Sequence, residues 1–250
     1  NANESVITLT SADLIVDGNA HIVDQSVYSS QNRYAISAIG GVSVTMNDGR
    51  IESTNNTAVY INRLGSSGLQ KDHAKFEMTG GTIKGGEYGL KHTQLNEITL
   101  SGGTISGGKN QPDVYMAWEK NSVSGTAKFT VKGNFPFASM KIESASKINE
   151  IDFTKATATG EENLQINLPW DGNETGANMK LFKASTSNYR DLLKHITLSG
   201  GKTPIFAVYN ERMISENPET TEIYAFSAPN LYTVHVKYYT KSSEAAPFYD

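Results

Sequence analysis

An all-β chain wound as a solenoid is the fold class that the sequence predicts, and three observations carry that reading. Helical patterning is almost missing from the 250 residues, in which Gly, Ser, Thr and Asn punctuate short runs alternating apolar and polar side chains. One phrase occurs twice in near-identical form, FEMTGGTIKGG over 76–86 and ITLSGGTISGG over 98–108. Looser copies surround the pair: VSVTMNDGRIES over 42–53, AKFTVKGNFPFAS over 127–139 and HITLSGGKTPIFAV over 195–208. Repetition of this kind marks a unit that cannot bury its apolar face alone and buries it by stacking on the next copy.

Each copy reads as strand, tight turn, strand. The first strand presents Val44 and Met46, Phe76 and Met78, Ile98 and Leu100, Phe129 and Val131, and in the late copy Ile196 and Leu198. Asp48-Gly49, Gly80-Gly81 and Gly102-Gly103 supply the turn, because glycine adopts positive φ without a Cβ clash. Ile51, Ile83 and Ile105 then open the following strand. Met46, Met78, Leu100 and Val131 lie 32, 22 and 31 residues apart, so similar strands are joined by inserts of irregular length.

A second apolar segment follows each turn. AVYINR (58–63), EYGLKH (87–92) and DVYMAW (113–118) align without gaps, which points Val59 and Ile61, Tyr88 and Leu90, and Val114 and Met116 inward. SNYRDLLKH places Tyr189, Leu192 and Leu193 at helical spacing behind Asn188, the candidate N-cap, and predicts the one short helix. The stretch 148–176 departs from the repeat and reads as wide coils or a cap. The solenoid is expected over 1–228. Within 229–250, LYTVHVKYYTKSS alternates as a strand that either covers the last coil or opens a following module.

Composition removes several function classes. Lys and Arg total 22 against 26 Asp and Glu, with no basic tract, so neither nucleic acid nor an anionic membrane surface is an expected partner. Cysteine is absent, which removes disulfides and thiolate metal sites, and the 5 histidines never fall at a ligand spacing. No metal and no cofactor are expected. No apolar run approaches the roughly 20 residues of a membrane span, so no membrane insertion is expected. The start carries no signal-peptide pattern, and both ends read as edges of a longer protein with flanking domains.

The pattern apolar-x-apolar-x-Gly-Gly-Thr-Ile-x-Gly-Gly resembles the right-handed parallel β-helix repeats of large bacterial surface proteins, called adhesin-like, with a pectate-lyase-like fold. The resemblance is specific over 42–116 and looser from 129 to 226. It implies a right-handed parallel β-helix with irregular coil lengths, export to the bacterial cell surface, and a role in adhesion or glycan contact.

The gap-free alignment of the second segment also defines a candidate site. Ala58, Glu87 and Asp113 form one outward column, Tyr60, Gly89 and Tyr115 the next, and Asn62, Lys91 and Ala117 a third. With coils about 4.8 Å apart, the two tyrosines stand roughly 10 Å apart across a glycine, a slot suited to a sugar ring. Glu87 and Asp113 on adjacent coils fall near the roughly 5 Å carboxylate separation of retaining glycosidases, with Lys91 beside them. A solvated outer face brings such residues together without any function, and no catalytic residue is assigned. The ligand-binding candidates are Tyr60, Glu87, Lys91, Asp113 and Tyr115, with the inserts 62–73 and 106–113 setting specificity. A non-catalytic binding and spacer module contacting glycan or a host surface protein is the leading expectation. A polysaccharide lyase or glycoside hydrolase on the same scaffold is the rival, and a structural stalk is the third reading.

Overall fold

Short alternating segments become strands in a regular rotation. The computed structural model describes residues 5–27, 33–62, 73–93, 96–117, 127–143, 149–157, 163–168, 179–198, 205–210 and 220–226. A first round of chain lays down β1 (Ile7–Leu9), β2 (Leu14–Val16) and β3 (His21–Asp24), and a second β4 (Tyr34–Ile39), β5 (Ser43–Met46) and β6 (Arg50–Ser53). The third holds β7 (Thr57–Asn62), β8 (Lys75–Met78) and β9 (Thr82–Gly85), and the fourth β10 (Leu90–His92), β11 (Glu97–Leu100) and β12 (Thr104–Ser106). Later rounds carry two strands each: β13 (Val114–Met116) and β14 (Ala127–Asn134), β15 (Ser139–Ile142) and β16 (Asn149–Thr157), then β17 (Gln165–Leu168) and β18 (Met179–Ser185). Helix α1 (Tyr189–Leu193), β19 (Ile196–Leu198), β20 (Ile205–Asn210) and β21 (Thr220–Phe226) complete the described elements.

Corresponding strands of successive rounds pair with one another, so the fold is all-β with parallel sheets. Sheet 1 runs β1-β4-β7-β10-β13-β15-β17-β19, sheet 2 begins β2-β5-β8-β11-β14-β16-β18, and sheet 3 holds β3, β6, β9 and β12. Sheet 2 ends differently, because β21 joins β18 antiparallel and β20 joins β21 antiparallel.

The register of sheet 2 follows the repeat. Val44 lies beside Phe76, Phe76 beside Ile98 and Ile98 beside Phe129, while Met46, Met78, Leu100 and Val131 line up next to them. All eight are buried. In sheet 3, Ile22, Ile51, Ile83 and Ile105 form the matching column. Burying such a ladder contributes about 1.5–3 kcal/mol per large aliphatic side chain, which the isolated strand cannot obtain.

The glycine turn is a corner between sheets 2 and 3, since β8 and β9 pair only with strands of neighbouring rounds. Gly81 has φ 83°. A Cβ there would sit 2.5 Å from Met46 Cε and 2.8 Å from the Gly49 carbonyl oxygen, so only glycine fits. Corners are also stitched by buried polar side chains. Asp24, fully buried, accepts from Ser26, Arg33, Ser53 and Asn56. Burial pushes its carboxyl up, but the donors outweigh that and leave it below the usual carboxylate range. Asn96 accepts from the Ala74 amide and donates to the Ile61 carbonyl, tying the fourth round to the third.

Three expectations need correction. The late copy at Ile196 and Leu198 sits in sheet 1 against β17, not in sheet 2 with the other copies. A strand carries period-two alternation in whichever sheet it joins, so pattern alone did not separate the two. Asn188 precedes α1 without a side-chain cap; its side-chain Nδ2 donates to the Ala156 carbonyl instead. The helix itself packs as its spacing requires, with Leu192 buried and Tyr189 and Leu193 against the core. The third correction concerns sheet 1 and shapes the candidate site. The strand expected within 229–250, most of the insert 62–73 and both tryptophans lie outside the described residues.

Candidate functional site

Within sheet 1, β10 is slipped by two residues relative to the gap-free alignment, whereas β7 and β13 keep the columns the alignment gave them. Leu90 pairs with Val59 on one side and Val114 on the other, so Lys91 lies between Tyr60 and Tyr115, and His92 between Ile61 and Met116. A two-residue slip keeps each side chain on its face, so alternation is equally satisfied by both registers. Tyr88 is displaced further: expected inward, it lies outside, stacked on Tyr115. Gly89, expected as a gap between the tyrosines, is instead a point of close backbone approach. A Cβ on it would come within 2.6 Å of Ile105 Cγ2 and 2.7 Å of the Ser106 carbonyl oxygen.

The outward column of sheet 1 therefore reads Ser37, Tyr60, Lys91, Tyr115, Lys141. Lys91 Nζ lies 5.5 Å from the Tyr60 ring centroid and 5.9 Å from that of Tyr115, and Lys141 Nζ lies 6.0 Å from the Tyr115 ring. These are cation–π distances. Each tyrosine is also backed by a second: Tyr34 stacks on Tyr60 at 4.4 Å between centroids and Tyr88 on Tyr115 at 4.5 Å. Tyr60 is only 9% exposed, so the accessible aromatic surface belongs to Tyr88 and Tyr115.

Burial raises the Tyr115 hydroxyl above the usual phenol range, and a hydrogen bond to Glu143 with the charges of Glu143, Tyr88 and Glu87 adds to it. Tyr88 is raised as well, by burial first and then by Glu87 and Glu143. Both phenols therefore stay protonated, which keeps their hydroxyls as donors.

The two carboxylates do not form a pair in one column. Backbone bonds place Gly89, not Glu87, beside Ala58 and Asp113, whereas the Glu87 amide donates to the Asn56 carbonyl. Glu87 accepts a hydrogen bond from Thr57 Oγ1 at 3.0 Å. Asp113 Oδ1 accepts from the Gly107 amide at 2.7 Å, and Oδ2 from the amides of Ala138 and Ser139 at 2.9 and 2.8 Å and from Ser139 Oγ at 3.1 Å. Asp113 thus acts as a clamp that folds 107–113 and fastens the fifth round to the sixth. Among the described residues no group of three or more His, Asp or Glu side chains converges as a metal site.

Of the five candidates, Tyr60, Lys91 and Tyr115 are brought into one column, Glu87 lies at its margin, and Asp113 is taken up by the scaffold. Sequence reasoning missed Tyr34, Tyr88, Lys141 and Glu143 as members of this face. Lys141 was legible, because Met140 and Ile142 alternate around it as Val114 and Met116 do around Tyr115. Tyr88 was not, because its outward course depends on the path of 85–89 across the third round. Comparison with known proteins returns no matching family model, no matching curated protein and no matching solved structure.

Proposed function

We propose that the chain is a right-handed parallel β-helix module of an exported, adhesin-like bacterial surface protein, and that it acts as a non-catalytic binding and spacer element. Its ligand is a glycan or a host surface protein, met on the outer face of sheet 1. The observation that carries this reading is the in-register column of Tyr60, Lys91, Tyr115 and Lys141 with Tyr88 stacked alongside. Aromatic surface flanked by fixed hydrogen-bond donors suits a sugar ring, which offers an apolar C–H face and a rim of hydroxyls. Rigid strands fix the backbone of these groups, which limits the ordering cost on binding to the lysine side chains. The rival lyase or hydrolase reading would use Glu87 and Asp113, which the register separates and whose oxygens already hold Thr57, Gly107, Ala138 and Ser139.

A glycan array, run with and without calcium and followed by product analysis of each hit, tests the proposal. Binding without turnover, lost in Tyr115→Ala and in Lys91→Ala with the fold intact, is the expected outcome. Released product would replace the binding reading with the enzymatic one. A blank array together with no capture of host surface protein would leave the stalk.

A further inference from the structure

A buried imidazole stands where the repeat calls for an aliphatic residue. In the inner column of sheet 1, Ala38, Ile61, Met116 and Ile142 surround one polar member, His92, which is fully buried. Its ring stacks on Phe129 at 5.7 Å between centroids, with 15° between planes. Nδ1 lies 3.3 Å from the Thr93 carbonyl oxygen. A carbonyl only accepts, so Nδ1 carries the proton. Nε2 is then a bare acceptor with no partner among the described residues. A second proton on Nε2 would place a charged N–H among apolar side chains with nothing to receive it.

We propose that His92 makes the fourth round an acid-sensitive joint, folded only around the neutral imidazole and loosened when the medium turns acidic. Among the described residues the strands around the ring present apolar side chains to it: β7 presents Ile61, β13 Met116 and β14 Phe129. Lys91 on its own strand points outward, and Glu97 on β11 and Lys128 on β14 pair with each other on the surface at 3.5 Å. Another histidine of these corners is His73, whose neighbour Ala74 donates to Asn96. Burial depresses the His92 pKa to about 4. Above pH 6.5 both folded and unfolded chains carry a neutral ring, and nothing is lost. As pH falls through 6.5 the unfolded chain takes up a proton that the folded one refuses, so stability drops until the folded ring also titrates near 4. The inference does not depend on the binding reading, although Lys91 on the same strand would be loosened with it.

Urea unfolding of the wild type, His92→Met and His92→Leu at pH 7.5 and 5.0, with NMR titration of the histidine side chains, tests it. The wild-type unfolding constant is expected to rise about 25-fold more than that of either variant between the two pH values. The His92 resonances should show no titration near 6.5, and acid should raise hydrogen exchange first at Leu90 and Lys91. Parallel losses in wild type and variants would overturn the proposal, as would a His92 that titrates near 6.5 in the intact fold. Should neither variant fold at pH 7.5, the NMR titration of the wild type decides alone.

Discussion

Between Ile7 and Ser106 the interior is filled mainly by Val, Ile, Met and Leu arriving from three sheets, with Phe76 the one phenylalanine. Between Ala127 and Ser185 the described strands belong to two sheets, and Phe129, Phe135, Phe137, Phe153 and Phe182 enlarge an interior that still holds Val131, Met140, Ile142, Ile151 and Ile166. Sheet 3 stops at β12, where the Ile105 amide donates to the Pro136 carbonyl and the chain passes on without forming a strand. Phe135 and Phe137, on either side of that proline, turn inward and meet Phe153 and Phe129 at centroid distances of 5.2 and 6.1 Å. A third sheet is therefore one way of filling a parallel stack, and large rings are another. The two regions also hold register differently. Glycine corners repeat without shift in the first, whereas β14 and β16 slip between Thr130 and Lys132 in the second. A corner that admits only glycine fixes every round alike, while interlocking rings tolerate a bulge.

The largest effect is expected from the second region. Phe153→Ala removes a fully buried ring that touches both Phe135 and Phe182, and should cost about 3–5 kcal/mol in urea unfolding. Hydrogen exchange should rise mainly between 127 and 185 while the first rounds stay protected, since each round leans only on its neighbours. Equal loss of protection throughout would show that the two regions unfold as one. Gly81→Ala sharpens the comparison from the other side. Positive φ alone should cost about 1–3 kcal/mol, with the contact against Met46 and the Gly49 carbonyl added, and the damage should centre on the first four rounds. The smallest effect belongs to a feature that both regions share, a surface row of alternating charge on sheet 2. Glu97 bridges Lys75 at 3.3 Å and Lys128 at 3.5 Å, and Glu150 meets Lys183 at 3.3 Å. Glu97→Gln and Glu150→Gln should each change stability by about 0.2–1 kcal/mol, and the difference should vanish in 1 M salt.

The repeat made sheet 2 readable strand by strand over 42–131, because Val44, Phe76, Ile98 and Phe129 each announce the same face, and the first three the same distance to a glycine corner. Sheet 1 was readable only as to face. Val59, Leu90 and Val114 are all apolar, but so are Ile61 and Met116 two residues on, and nothing in the alternation chooses between them. The candidate site inherited that ambiguity. Lys91 was placed in a different column from the tyrosines it separates, and Asp113 was read as a surface carboxylate although it closes the loop 107–113.

What the sequence determined by itself are the properties that need only neighbouring residues: alternation that makes a strand amphipathic, glycine pairs that permit positive φ, and the i, i+3, i+4 spacing of α1. What the tertiary structure alone decided are the properties set by how far the chain runs before it returns. The course of 85–89 over Asn56 delays β10 by two residues against β7. That delay puts Lys91 between two tyrosines and His92 between Ile61 and Met116. A side chain's face is a local matter of period two, but its neighbours across a parallel sheet depend on the length of every loop between them.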